Sequence, residues 1–375
     1  MPEMLADLAR RVPLEELTIE SGPAFFVARD GGRTSGTAEV TITRPSIAIQ
    51  FATPGPFSVE KAPYGESSGG LVALDKTWSA RQVNDAGVAS NGERLFATMA
   101  LTVNHAELRE VAATRLVIAG AAWSGVGKLD GRQVVVHRLS HDTVSHHDHR
   151  ITIAIEGDLD ETAIETIGRA SGFVTGIDVE ILRVERYSPR GILLQVEHRR
   201  GYRRVGRGTH SPFTGVSDEH RMRAWLALVG AFPRLLKSGV PIDMIVDQIA
   251  AHNQVAQIHV SAQLLLMSTV TAAHQALHGA EVGAPALSRR KELERLDREL
   301  KLGLSEDDFA RYDKLRLELL DAGFFHAPGY ETGRPQRDIK FLRDLAHVIV
   351  FRLCGYTGPF YGAERFVVRE LASLL

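Results

Sequence analysis

The pattern of apolar residues changes once along this chain, and that change constrains the fold more than any other feature. Before it, short β-branched or aromatic runs are bounded by Gly or Pro. Strands are predicted at Ala24–Arg29, Glu39–Arg44, Ser46–Phe51, Leu95–Val103, Arg115–Trp123, Gln133–Leu139 and Ile151–Glu156. Ile151, Ile153 and Ile155 occupy alternate positions, as a strand with a buried face requires. A helix is predicted from Asp160, a good N-cap, to Ser171. Strands Asp178–Tyr187 and Ile192–Arg199 follow, joined by the turn sequence Ser188-Pro189-Arg190-Gly191. Gly206–Asp218 is rich in Gly, Ser, Thr and Pro and reads as a connection.

Beyond it the apolar spacing is helical. Trp225, Leu226, Val229 and Phe232 recur at i, i+1, i+4 and i+7 within Glu219–Leu236. Ile242–Leu277 reads as one long apolar helix, and Arg289–Lys301 as a surface helix. Ser305 and Asp308 form a capping box for the next helix, which runs to about Leu320. Pro335 opens a helix through Leu353, and Glu364–Leu374 reads as a last short helix. The fold class expected is α+β: a β-rich domain over 1–213, then an all-α domain over 214–375.

Composition excludes several classes. The chain has 375 residues, 44 Lys+Arg against 46 Asp+Glu, and 44% hydrophobic residues. Such a chain can bury a sizeable core, so it is not disordered throughout. A formal charge of −2 excludes a chain-wide attraction to nucleic acid but not a local one. One Cys, Cys354, excludes a disulfide framework. The first twenty residues carry charges throughout and lack a signal-peptide core. With no run long enough to span a bilayer, a cytoplasmic location without membrane contact is expected.

Two clusters carry candidate chemistry. Arg199, Arg200, Arg203, Arg204 and Arg207 fall within nine residues, with Tyr202 among them and glycines between. Concentrated guanidinium charge suits phosphate, and Tyr202 could stack on a base, so these six are the candidate nucleic-acid-binding residues. A solvated strand end paired to acidic groups is the plain alternative. His137, His141, His146, His147 and His149 crowd two predicted strands, and imidazole suits Zn²⁺, Ni²⁺ or Fe²⁺. They are the candidate metal ligands, although their spacing matches no named metal motif and a polar hairpin loop is the plainer alternative. His274 and His278, one helical turn apart, read as a polar seam in a helix packing. Ala119–Gly131 is Gly-rich but has Ala122 and Leu129 where a phosphate loop needs Gly and Ser or Thr. No cofactor is expected.

The helical part resembles a family. Asp321-Ala-Gly-Phe-Phe-His326-Ala-Pro-Gly-Tyr330 breaks its last two long helices. With His274-Gln-Ala-Leu-His278 and Leu353-Cys-Gly-Tyr-Thr-Gly-Pro-Phe-Tyr361, it resembles the HEPN (higher eukaryotes and prokaryotes nucleotide-binding) domains of bacterial anti-phage defence proteins. The resemblance covers roughly residues 220–375 and extends weakly to the β-rich part. It implies that His326 is the catalytic His of a metal-independent ribonuclease, moving a proton while an Arg four to six residues before it stabilises phosphate charge. Here Asp321 and Ala322 stand where Arg and Asn would, and Arg343 and His347 have only three residues between them. The resemblance therefore implies a binding or dimerisation module. The function expected is a bacterial binding protein of defence or stress type, with RNA, another nucleic acid, a protein or a second copy as partner. The alternatives are a ribonuclease using His326 with Arg334 or Arg337, and a structural assembly protein.

Overall fold

The computed structural model describes every residue except 12–16, 28–32, 43–46, 54–69, 75–77, 89–92, 99, 104–109, 140–149, 177–178, 200–210, 255–259, 279–288, 322–333, 363–366 and 371–375. The fold is mixed, with antiparallel strands in the first half and helices in the second. After helix α1 (Pro2–Arg10) come β1 (Leu17–Val27), β2 (Arg33–Ile42), β3 (Ile47–Ala52), β4 (Gly70–Leu74), β5 (Trp78–Val88), β6 (Arg94–Thr98) and β7 (Ala100–Val103). Strands β1 to β6 pair in the order β4-β1-β2-β3-β6-β5, and β5 also pairs with β4. Six antiparallel strands therefore close on themselves as a barrel, which leaves no free edge among them. Ala24, Phe26, Ala38, Val40, Ile49 and Phe51 are buried in this unit.

Strand β7 joins the barrel to a second, open sheet by pairing with β5 on one side and β13 on the other. That sheet contains β8 (Ala113–Ala119), β9 (Gly125–Leu129), β10 (Arg132–Leu139), β11 (Arg150–Glu156), β12 (Glu180–Tyr187) and β13 (Leu193–His198) in the order β13-β12-β8-β11-β10-β9. Every residue of β8 is buried, so both faces of the sheet are covered. Helix α2 (Glu161–Thr175) crosses one face, started by Asp160, whose carboxylate accepts from the Ala163 N–H, and ended by Gly176 at φ 71°.

The helices α3 (Asp218–Lys237), α4 (Ile242–Gln254), α5 (Val260–His278), α6 (Arg289–Leu300), α7 (Glu306–Asp321) and α8 (Arg334–Leu353) follow. The expected capping box is realised at α7: the Ser305 and Asp308 side chains each accept from the other's backbone N–H. One apolar core runs from Leu116, Val136, Ile153 and Val184 of the sheet through α2 to Trp225, Leu228 and Phe232 of α3 and Leu345, Ile349 and Phe351 of α8. Trp123 and Trp225 meet at 5.7 Å, and the Trp225 indole donates to Ser171 of α2. Phe213 lies inside this core against Phe351 and Tyr356, so apolar packing is continuous across the expected domain boundary. No described helix is long and apolar enough to cross a membrane.

Two expectations are corrected. The long helix over 242–277 is two helices, α4 and α5, which pack on each other. The expected final helix instead contains β15 (Val367–Glu370), paired with β14 (Pro359–Gly362). Its β-branched residues find a strand partner that propensity alone does not reveal.

The approach of α3 to the sheet depends on glycine. A Cβ at Gly127 would lie 2.4 Å from Leu226 Cδ1, and one at Gly125 would lie 2.9 Å from Met222. The obstructing atoms belong to flexible side chains that can give way. A Gly127→Val substitution should therefore cost about 1–3 kcal/mol in urea unfolding without preventing folding.

Candidate nucleic-acid interface at one end of the sheet

Strand register brings two distant sequence clusters to one place. Leu139 ends β10 opposite Arg150, which begins β11, and Arg150 lies opposite Ala119, the last residue of β8. Ala119 in turn faces Glu180, the first residue of β12. Strand β13 ends at His198 opposite Arg183, and the Arg199 N–H donates to the Leu182 carbonyl. The His-rich segment 140–149 and the Arg-rich segment 200–210 thus leave from the same end of one sheet. At about 4.8 Å per strand, β13 lies roughly 14 Å from β11 and roughly 19 Å from β10. The second segment returns at a fixed point: the Ser211 hydroxyl donates to the Val174 carbonyl near the end of α2, and the Tyr361 N–H donates to the Pro212 carbonyl.

Of the expected nucleic-acid-binding residues only Arg199 is described. Arg200, Tyr202, Arg203, Arg204 and Arg207 lie outside the described residues. Arg199 forms a two-pronged pair with Glu161 of α2 and a second pair with Glu197 at 3.2 Å. Hydrogen bonding to Arg199 holds the Glu161 carboxyl below its ordinary range. Arg199 is therefore engaged in joining β13 to α2.

Of the expected metal ligands, His141, His146, His147 and His149 also lie outside the described residues, as does His326. His137 is described. Partial burial, then the nearby Arg10 charge, holds its pKa below the ordinary value. Among the described residues no three His, Cys, Asp or Glu side chains form a metal-binding group.

His137 belongs to an unexpected polar surface. Cross-strand pairing sets His198, Arg183, Val117, Thr152 and His137 in one row, and Glu185, Arg115, Ala154 and Val135 in another. Helix α1 covers this face, burying Leu5, Leu8 and Ala9 against Ala113, Val135, Ala154 and Tyr187. Glu185 is shared: it pairs with Arg115 at 2.9 Å and Arg183 at 2.6 Å and accepts from the Tyr187 hydroxyl at 2.6 Å. Burial alone would raise the Glu185 carboxyl, but the two guanidinium charges and these donors outweigh it and hold it below its ordinary value. Arg115 also donates to the Arg11 carbonyl, and the Thr152 hydroxyl to the Ala9 carbonyl, at the C-terminal end of α1. The sequence signal for this network was Arg183-x-Glu185-x-Tyr187, three polar-headed side chains at alternate positions of one strand.

In the helical half, Arg343, Asp344 and His347 are buried on α8. His347 donates from Nδ1 to the Arg343 carbonyl at 2.8 Å and packs its ring on Phe173 at 5.2 Å. Arg334 and Arg337 begin α8. His274 and His278 form the expected seam on α5, their rings 4.6 Å apart, and His278 Nε2 lies 3.1 Å from Glu299 of α6.

Comparison with protein families, with curated proteins and with solved structures finds no match for this chain.

Two outcomes follow from these interior charges. Glu185→Gln deprives Arg115 and Arg183 of their shared carboxylate and should cost about 3–5 kcal/mol in urea unfolding. Burial, then the neighbouring His278, lowers the His274 pKa. The unfolded chain therefore binds this proton more readily, and stability falls as pH drops through the ordinary His range near about 6.5. His274→Leu should flatten that dependence when unfolding is compared on the two sides of this range.

Proposed function

We propose that this chain is a binding protein whose ligand is single-stranded RNA, held by the Arg-rich segment after β13, with the helical half as a HEPN-like binding module. The observation that carries the reading is the shared sheet end. Register sets the starts of the Arg-rich and His-rich segments within roughly 14–19 Å of each other, a few nucleotides of extended strand. Arg199 and Ser211 fix the two ends of the Arg-rich segment to α2, which lowers the entropy cost when its guanidiniums engage phosphate. Four arginines, Arg200, Arg203, Arg204 and Arg207, supply the local positive charge that the near-neutral chain as a whole lacks. Tyr202 supplies a stacking surface.

The test replaces those four arginines by Gln and leaves Arg199 intact. Retention of a single-stranded RNA on filters should weaken at least about tenfold. The slope of log affinity against log salt should fall by about 0.7 for each phosphate no longer neutralised. Unchanged retention overturns the reading. Arg199→Gln serves as the contrast. It should alter RNA retention little and cost no more than about 1 kcal/mol of stability, because its pair with Glu161 lies near the surface.

A further inference from the structure

The sheet face under α1 is built like an anion site that the chain fills with its own backbone. Two guanidiniums, Arg115 and Arg183, share the one carboxylate of Glu185. Arg115 extends a further N–H to the Arg11 carbonyl, and Thr152 extends its hydroxyl to the Ala9 carbonyl. Those carbonyls belong to the last turn and cap of α1, the end of a helix that carries partial negative charge. They accept from a guanidinium and a hydroxyl, groups that also donate to phosphate oxygens. His137 lies beside Thr152 in the same strand row.

The cover is held lightly for an element in this position. It has nine residues, too few for an isolated helix to persist in water. Its apolar hold consists of Leu5, Leu8 and Ala9, with Met4 at the margin, whereas the opposite face of the sheet is sealed by the main core. An anion that binds only the uncovered face would shift the helix away by its own affinity for that face.

We propose that α1 is a displaceable cover over a phosphate-binding face formed by Arg115, Arg183 and Thr152. Resting on the RNA-binding reading, this face would take a backbone phosphate of the same RNA and extend the site beyond the Arg-rich segment. Uncovering exchanges carbonyl acceptors for phosphate oxygens and leaves the Arg115–Glu185–Arg183 group in place.

The experiment loosens α1 without touching the sheet, by the double substitution Leu5→Ala and Leu8→Ala. Inorganic phosphate is titrated by calorimetry, and hydrogen exchange is followed at residues 2–11. Faster exchange with phosphate affinity raised about tenfold, and disappearance of that increase on adding Arg115→Gln, supports the proposal. Faster exchange with unchanged phosphate affinity overturns it. If the double variant does not unfold cooperatively, the unsubstituted protein decides. Phosphate should accelerate exchange in α1, and slowed or unchanged exchange overturns the proposal. The phosphate effect should persist when Arg200, Arg203, Arg204 and Arg207 are Gln. Failure of this face is thereby distinguished from failure of RNA binding by the Arg-rich segment.

Discussion

The rest of the structure depends on the burial of β8 and its neighbours on both faces. A strand buried on both sides cannot leave one face to water, so two sets of elements must cover it. One face meets α2 and α3 and, through them, α8 and the other helices, in a core that runs from Leu116 and Ile153 to Phe351. The other face meets α1. This asymmetry explains how a β-rich half and a helical half share apolar packing.

Charge placed inside such a sheet has to be answered locally. Arg115, Arg183 and Glu185 lie almost wholly out of water, where an unanswered charge is far more costly than on a surface. The shared carboxylate, the Tyr187 hydroxyl and the backbone carbonyls of α1 meet that demand with short directed bonds. A buried ion group of this kind contributes less to net stability than apolar residues of the same size, but it admits few alternative arrangements. Through the Arg11 carbonyl it sets where the end of α1 sits when that helix covers the face. The same polarity gives this face a chemistry that a sheet packed only with Val and Ile lacks.

The helical half shows the opposite choice. His347 and Arg343, one helical turn apart, are buried on α8. The His347 proton is committed to a backbone carbonyl one turn away, and its ring is packed on Phe173. That arrangement stabilises a helix in a core and leaves the ring no access to a substrate. The His274–His278 seam is likewise a packing feature, and the response of His274 to acid follows from its burial.

Periodicity in the sequence alone determined the strand-to-helix order, the cap at Asp160, the capping box at Ser305 and the turn at Ser188–Gly191, because these depend on interactions only a few residues apart. It also located the Arg and His clusters, which are matters of composition. The break between α4 and α5 and the β14–β15 hairpin were decided by tertiary structure, since Val367 and Val368 adopt a strand only when Tyr361 and Gly362 lie alongside. Closure of β1 to β6 into a barrel, the shared end of β10, β11 and β13, and the burial of Arg115 with Glu185 are likewise invisible in the linear pattern. Each depends on pairing between residues distant in the chain, 70 apart for Arg115 and Glu185. Such pairing is selected by the fit of whole faces, and local propensity carries no record of it.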